Sequence, residues 1–369
     1  MSAVLEHTPT HSRHPRVVMA GPLPPGIGGM VTVIEDLSAS RLAREVDLVL
    51  FDTKKTTPPD RSLWQGIAAR LKLWVRWWHA LRGDATVAHI HTCSGLSFFL
   101  DGSLLLIARA RGVPALLHVH GGLFEDFLKG LSPLARRAAQ FLARRATQVV
   151  VLSAAWRERL APLLPGARLS IVENGICLPA EAIQRTRPGI PTILFLGDVS
   201  VAKGIEDLID AAGRLKQPFR LVLVGGDNPA GISGRFKARA QELGIAEQVT
   251  FTGPVYGAAK AGYLRAADIF ALPSHAEAMP MALLEAMAYG LAVVASRVGA
   301  IPAVIDPEQT GLLVEPRDVS GLTAALERVL ADGVLRERMG RAAQQVARER
   351  YSVDRAAGEL VELYRKVAA

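Results

Sequence analysis

Two glutamates separated by seven residues, Glu277 and Glu285, stand in SHAEAMPMALLEAMAYGLAVVAS (Ser274 to Ser296), a stretch that otherwise reads as core. Acids are seldom kept in such company without a purpose. DIFALPS just upstream ends as a strand, HAEAM follows as a loop, and Pro280 supplies the φ favoured in a first helical turn. MALLEAMAY continues as helix until Gly290 stops it. Glu277 therefore borders a helix N-terminus, and Glu285, inside the helix, leans back toward the same mouth. Unpaired N–H groups there suit a phosphate, and a carboxylate accepting two hydrogen bonds suits the vicinal hydroxyls of a sugar or ribose. The same residues also admit a structural account, with Glu285 on an outer helix face and Glu277 assisting a cap.

Three further stretches carry candidate chemistry. FLGDVSVAKGIEDLIDA (Phe195 to Ala211) reads as strand, loop and helix, with Lys203 and Gly204 at the turn, where an ammonium could balance a diphosphate. GPLPPGIGGMVTVIEDL (Gly21 to Leu37) is a glycine-rich turn before a helix, which lets backbone approach an anion. Its spacing is not G-x-G-x-x-G, so a nicotinamide site is disfavoured. HVHGG (His118 to Gly122) closes a strand, and alternation puts His118 and His120 on one face. HIHT (His89 to Thr92) has the same alternation and could line an acceptor. Read singly, each of these also fits ordinary structure: a solvated lysine, turn glycines, structural histidines.

The elements that must hold these residues are short apolar runs alternating with helices. In the first half they are RVVMAG, VAHIHT, ALLHVHG, TQVVVLS and LSIVEN; in the second, TILFLGD, RLVLVGG, VTFTG, DIFALPS, AVVAS and GLLVE. Runs of this kind predict parallel strands covered on both faces, and two series predict two doubly wound α/β domains facing a cleft. The expected division is a flexible tail over residues 1–15, an N-terminal acceptor-binding domain over 16–178, a linker over 179–190 and a C-terminal nucleotide-sugar domain over 191–351. Residues 352–369 are expected to pack back on the first domain as a closing helix. The 369-residue length agrees with two cores.

A net charge of +8 favours anionic partners without choosing among nucleotides, lipid surfaces and nucleic acid. No nucleic-acid recognition motif accompanies it. Cys93 and Cys177 have no metal-ligand spacing and make no disulfide framework, so they are expected as buried thiols in a reducing cytosol. The opening MSAVLEHTPTHSRHPR lacks the apolar core of a secretory signal, and no run is long and apolar enough to span a bilayer.

The segment Ser274 to Ser296, continued by VGAIPAVI and TGLLVEPRD, resembles the E-x7-E signature of retaining glycosyltransferases of family 4, which have the two-domain GT-B fold. The resemblance covers nearly the whole chain. It implies that Glu277 meets the donor sugar and Glu285 the ribose of its nucleotide, with Ala278, Met279, Pro280 and Met281 between them in the donor site. It implies further that Lys203, Gly28 and Gly29 hold the donor phosphates and that His120 contacts the sugar near the reacting carbon. His91, Thr92, Gly121 and Gly122 are expected on the acceptor side, and ENG (Glu173 to Gly175) at the domain crossing. One departure stands out: Asp198 occupies the position where the family usually carries an arginine, so it is left out of the phosphate site.

The implied reaction moves a sugar from a nucleotide diphosphate to an acceptor hydroxyl with retention and without a metal or other cofactor. SLWQGIAARLKLWVRWWHALRG (Ser62 to Gly83) predicts an amphipathic helix, with Leu63, Ile67, Trp74, Trp78 and Leu81 on one face and Lys72, Arg76 and His79 opposite. It packs on the sheet or docks on anionic lipid. The second option leads to a lipid-linked glycan acceptor of bacterial surface polysaccharide synthesis and a cytoplasmic enzyme peripheral to the inner membrane face. Rival readings are an epimerase or phosphorylase on the same architecture, and a non-catalytic scaffold that binds nucleotide sugar.

Overall fold

The computed structural model describes residues 14–26, 28–54, 62–83, 85–180 and 189–368. The linker expected over 179–190 and the tail over 1–15 fall largely outside them. Two six-stranded parallel sheets organise the chain. The first comprises β1 (Arg16–Gly21), β2 (Asp47–Asp52), β3 (Ala85–Thr92), β4 (Ala115–Val119), β5 (Gln148–Val151) and β6 (Leu169–Ile171), in the order β2-β1-β3-β4-β5-β6. The second comprises β7 (Thr192–Leu196), β8 (Arg220–Val224), β9 (Val249–Gly253), β10 (Ile269–Leu272), β11 (Ala292–Ser296) and β12 (Gly311–Val314), in the order β12-β11-β10-β7-β8-β9. These are two Rossmann-like domains of the GT-B type.

Central strands such as β4 and β11 are buried at every residue, because helices cover both faces. Only β2 was not foreseen. DLVLFD lies at the sheet edge with an acid at each end, and most of it is partly or fully exposed, so it lacks the apolar run that marks a covered strand.

In open parallel sheets ligands bind beyond the carboxyl ends of strands where the order reverses. One reversal lies between β1 and β3, the other between β7 and β10. The turns after β1, β7 and β10 hold the glycine-rich loop, Lys203 and Glu277 respectively.

Two crossings join the halves. Ile176 N–H donates to the Tyr351 carbonyl at 2.9 Å and Val353 N–H to the Ile176 carbonyl at 2.9 Å. Beside them Arg350 pairs with Glu173 at 2.8 Å. The helix Val353–Ala368 then lies against β3 and the helices Gly29–Ala39 and Leu42–Glu45 of the first half, with Ala357, Leu360, Val361 and Tyr364 buried.

Candidate active site

After β7, Ser200 accepts the Lys203 N–H through its hydroxyl at 3.3 Å and so caps the short turn Val201–Lys203. After β10, the His275 N–H donates to the Ala202 carbonyl at 2.9 Å, which ties this loop to the one carrying Lys203. Lys203 Nζ donates to Glu277 Oε1 at 2.6 Å, and the Ser274 hydroxyl donates to the same oxygen at 2.8 Å. Glu277 is only 9% exposed, so its charge is held by this ammonium rather than by bulk water. Asp198 stands apart from the pair: its carboxylate accepts from the Asn228 amide at 3.2 Å.

The Glu277 loop is clamped from both halves of the molecule. Gly299, at φ 58, presses its Cα against the Glu277 carbonyl so closely that any Cβ would overlap it. From the other half, Gly122 approaches so near that a Cβ would sit 2.6 Å from the Glu277 carbonyl carbon. Ala300 N–H donates to the Ala278 carbonyl at 2.8 Å. Asn174, in the crossing segment, donates its amide to the Met279 carbonyl at 2.9 Å. Pro280 is the N-cap of the helix Met281–Ala288, one position outside the expected first turn, and no side chain caps that N-terminus.

Glu285 sits in this helix and accepts from Lys260 Nζ at 2.6 Å. Burial raises its pKa, with Lys260 pulling the other way and Asp36 adding to the rise. Asp36 comes from the helix Gly29–Ala39 of the other half; burial raises its pKa too, opposed by a hydrogen bond to Cys177 and by Lys260. The cysteines depart from expectation: Cys93 is half-buried and Cys177 is exposed. At the start of the same helix, Gly28 is the N-cap at φ 127, and a Cβ on Gly29 would lie 4.0 Å from Met281 Cγ. The glycine-rich loop thus meets the end of the helix that carries Glu285.

The four histidines of the paired H-x-H motifs form a two-by-two array. The β3–β4 register sets His91 beside His118. His89 Nε2 is bonded to His118 Nδ1 at 3.1 Å and His89 Nδ1 to the Tyr364 hydroxyl at 2.5 Å; His91 Nδ1 is bonded to His120 Nε2 at 2.8 Å. The first pair lies over the second: His89 stacks on His91 with centroids 4.3 Å apart, and His118 lies over His120 at 4.2 Å with the rings tilted by 37°. Burial pushes His89 and His120 down to about 3 and holds His91 and His118 well below the usual range, so the array is neutral.

His120 alone in the array is partly exposed. His91 and Thr92, expected to line an acceptor site, are buried instead. His91 lies behind His120, and the Thr92 hydroxyl donates to Asp101 at 2.9 Å. Gly121 packs on the Ser94 backbone and Gly122 on Glu277. Nitrogens of His89, His91 and His118 gather within 4.8 Å, close enough to be weighed as a metal site. The fit is poor: the near-parallel His89 and His118 rings direct their nitrogens at one another, whereas tetrahedral zinc requires lone pairs converging on one point about 2.0–2.1 Å away.

The helix Leu63–Ala80 forms with a Ser62–Gln65 capping box, but its faces differ from expectation. Trp77 within the helix and Leu81 just past its end are buried, Trp77 donating to the Leu104 carbonyl at 2.9 Å and Trp74 to the Ser103 hydroxyl at 2.8 Å. Trp64, Ile67, Leu71, Val75 and Trp78 form a second apolar stripe that is exposed, with Trp64 79% open to solvent. Apolar residues on both sides of the cylinder defeat an assignment by period alone. No helix among the described residues is long and apolar enough to cross a membrane.

Comparison with known proteins agrees with this geometry. The family described as Glycosyl transferases group 1 matches residues 181–346, and Glycosyl transferase 4-like domain matches residues 28–175. A D-inositol 3-phosphate glycosyltransferase of Xylanimonas cellulosilytica is 32% identical over 59% of this chain and 54% of its own length. A glycogen synthase of Mycobacterium tuberculosis is 29% identical over 65% and 60%. The alignments thus span little more than half of these relatives. Among solved structures, sucrose-phosphate synthase of Thermosynechococcus elongatus superposes with a TM-score of 0.80 at 20% identity, covering 96% of this chain and 99% of that one. Anabaena HepE in complex with UDP and glucose gives 0.73 at 18% identity, covering 96% and 100%. With both halves matched and the strand-end turns arranged as the fold requires, the chain belongs to the group 1, family 4-like glycosyltransferases of GT-B fold.

Proposed function

We propose that this chain transfers a glycosyl group from a nucleotide-diphosphate sugar to an acceptor hydroxyl, with retention at the anomeric carbon. The observation that carries the reading is the Lys203–Glu277 pair at the β7–β10 reversal, beside an uncapped helix N-terminus. On donor binding, Lys203 turns to the diphosphate and Glu277 to the sugar hydroxyls, while Glu285 takes the ribose. As the bond from the anomeric carbon to the diphosphate oxygen breaks, negative charge grows where Lys203, the Gly28–Gly29 backbone and the amides of Ala278, Met279 and Met281 are preorganised to receive it. The acceptor oxygen attacks from the same face, and its proton passes to the departing phosphate. His120 borders the sugar as a neutral group. Each site glutamate is already balanced by a lysine, so a metal-independent reaction is the economical reading.

The acceptor we favour is a lipid-linked glycan intermediate of surface polysaccharide synthesis, presented at an anionic membrane by a protein bound to its cytoplasmic face. The support is the exposed stripe Trp64, Ile67, Leu71, Val75 and Trp78 with Lys72 and Arg76 on the same helix. A depression of about 360 Å³ between Leu71, Trp74, Val75, Trp78 and Ile107 interrupts the stripe.

The deciding experiment is a thermal-shift panel of nucleotide sugars, uridine diphosphate sugars first because HepE structures hold UDP and UDP-glucose. Stabilisers are then incubated with lipid-linked acceptors and the anomeric configuration of the product is read by NMR. A stabilising donor and an axial-to-axial or equatorial-to-equatorial product support the reading; inversion, or epimerised donor without transfer, overturns it.

A further inference from the structure

We propose that His91 is a positioning residue for the transfer: it locks His120 in the tautomer that offers an Nδ1–H donor, not a basic nitrogen, to the donor sugar. This rests on the reading above that His120 meets the sugar. His91 Nε2 and His118 Nε2 are buried without a hydrogen-bond partner among the described residues. A neutral imidazole carries one N–H and one bare nitrogen, and buried donors without acceptors are rarer than buried acceptors without donors. His91 therefore carries its proton on Nδ1, the atom facing His120 at 2.8 Å. His120 Nε2 must then accept, which places the His120 proton on Nδ1.

The same reasoning orders the pair stacked on it. His118 with a bare Nε2 donates from Nδ1 to His89 Nε2, and His89 donates from Nδ1 to the Tyr364 oxygen. In one pair the bond runs from β3 to β4 and in the other from β4 to β3. The two N–H···N dipoles run antiparallel, with ring centroids 4.2–4.3 Å apart between the pairs, a favourable sense for neighbouring dipoles. Each pair thus supports the tautomer of the other, and the His120 N–H is fixed before substrate arrives. Such a donor holds a sugar oxygen without taking a proton, consistent with a ring that burial keeps from being charged.

The test is two-fold. Long-range nitrogen-15 NMR of histidine-labelled full-length protein, without ligand, reads the tautomers directly: His120 and His91 are expected in the Nδ1–H form. His91→Leu removes the donor, and His91→Asn returns an amide N–H at the position of Nδ1. Turnover of the stabilising nucleotide sugar should fall at least about tenfold in kcat in His91→Leu with KM within about threefold, and His91→Asn should recover most of it. Wild-type His120 protonated on Nε2 overturns the proposal whatever the activity, as does a His91→Leu protein with unchanged kcat. If His120→Ala leaves turnover untouched while the tautomers are as stated, the placement of His120 at the sugar fails instead.

Discussion

Lys203 Nζ and Glu277 Oε1 lie 2.6 Å apart although they follow different strands, one after β7 and the other after β10. In the reading proposed above these two charges serve different parts of one donor molecule; in the structure each is the other's partner. Removing either leaves the other poorly solvated. Glu277→Ala and Lys203→Met are each expected to lower kcat/KM at least about 100-fold, and the double variant to fall by far less than the product of the two. Steady-state kinetics on the three variants checks this; additive losses would show that the pair does not act as a unit.

Lys260 makes the corresponding contact with Glu285. Because burial already raises the Glu285 pKa, Lys260→Met is expected to raise it further and to weaken nucleoside diphosphate binding by about tenfold, roughly one lost charge-assisted hydrogen bond. Titration calorimetry across a pH series should show the loss growing as the pH falls, the direction in which a carboxyl with a raised pKa is the first to be protonated.

Gly122 and Gly299 touch the Glu277 loop from opposite halves, and their alanine variants should separate two effects. Gly299→Ala combines a left-handed φ with overlap inside one domain, and about 2–4 kcal/mol of stability should be lost, measured by urea unfolding. Gly122→Ala instead props the halves apart at the site. Its melting temperature should stay near that of the wild type while transfer drops at least about tenfold, a closure effect.

The histidine array makes stability depend on pH. Its folded-state pKa values lie below the unfolded value near 6.5, so the unfolded chain binds more protons as pH falls. The array's contribution is present above about pH 6.5 and is lost toward about pH 3, at up to about 1.4 kcal/mol per pH unit for each histidine. Asp101, raised by burial to about 6, works in the opposite sense between about pH 6 and pH 4. Urea midpoints at pH 7.5, 6 and 5 should decline for the wild type and decline less steeply for His118→Asn.

The exposed stripe predicts vesicle binding. Flotation with anionic liposomes should carry the wild type, and Trp64→Ser with Val75→Ser should reduce the bound fraction about tenfold or more without moving the melting temperature. Equal binding by the variant would place the membrane contact elsewhere or abolish it.

The sheets were legible because parallel strands covered on both faces must be continuously apolar, and β2 escaped because an edge strand need not be. The positions of Lys203 and Glu277 in turns after strands, and of Glu285 within the helix that follows, were legible from the local pattern. Lys260 was not, since its partner lies 25 residues away and its local stretch carries no mark of the contact, and Asn174 stood in the expected crossing turn without any sign of its bond to Met279, 105 residues on. The H-x-H alternation put each histidine couple on one face. Only the β3–β4 register reveals who bonds to whom, and it moved His91 from the cleft wall to a place behind His120.

The helix Val353–Ala368 completes the core of the first domain with the last residues described, Tyr364 closing over His89. During synthesis, then, the leading half emerges from the ribosome long before its final piece exists. It must wait with an apolar groove uncovered, a natural client for chaperones, and an expression fragment ending near residue 180 would inherit the same exposed seam permanently.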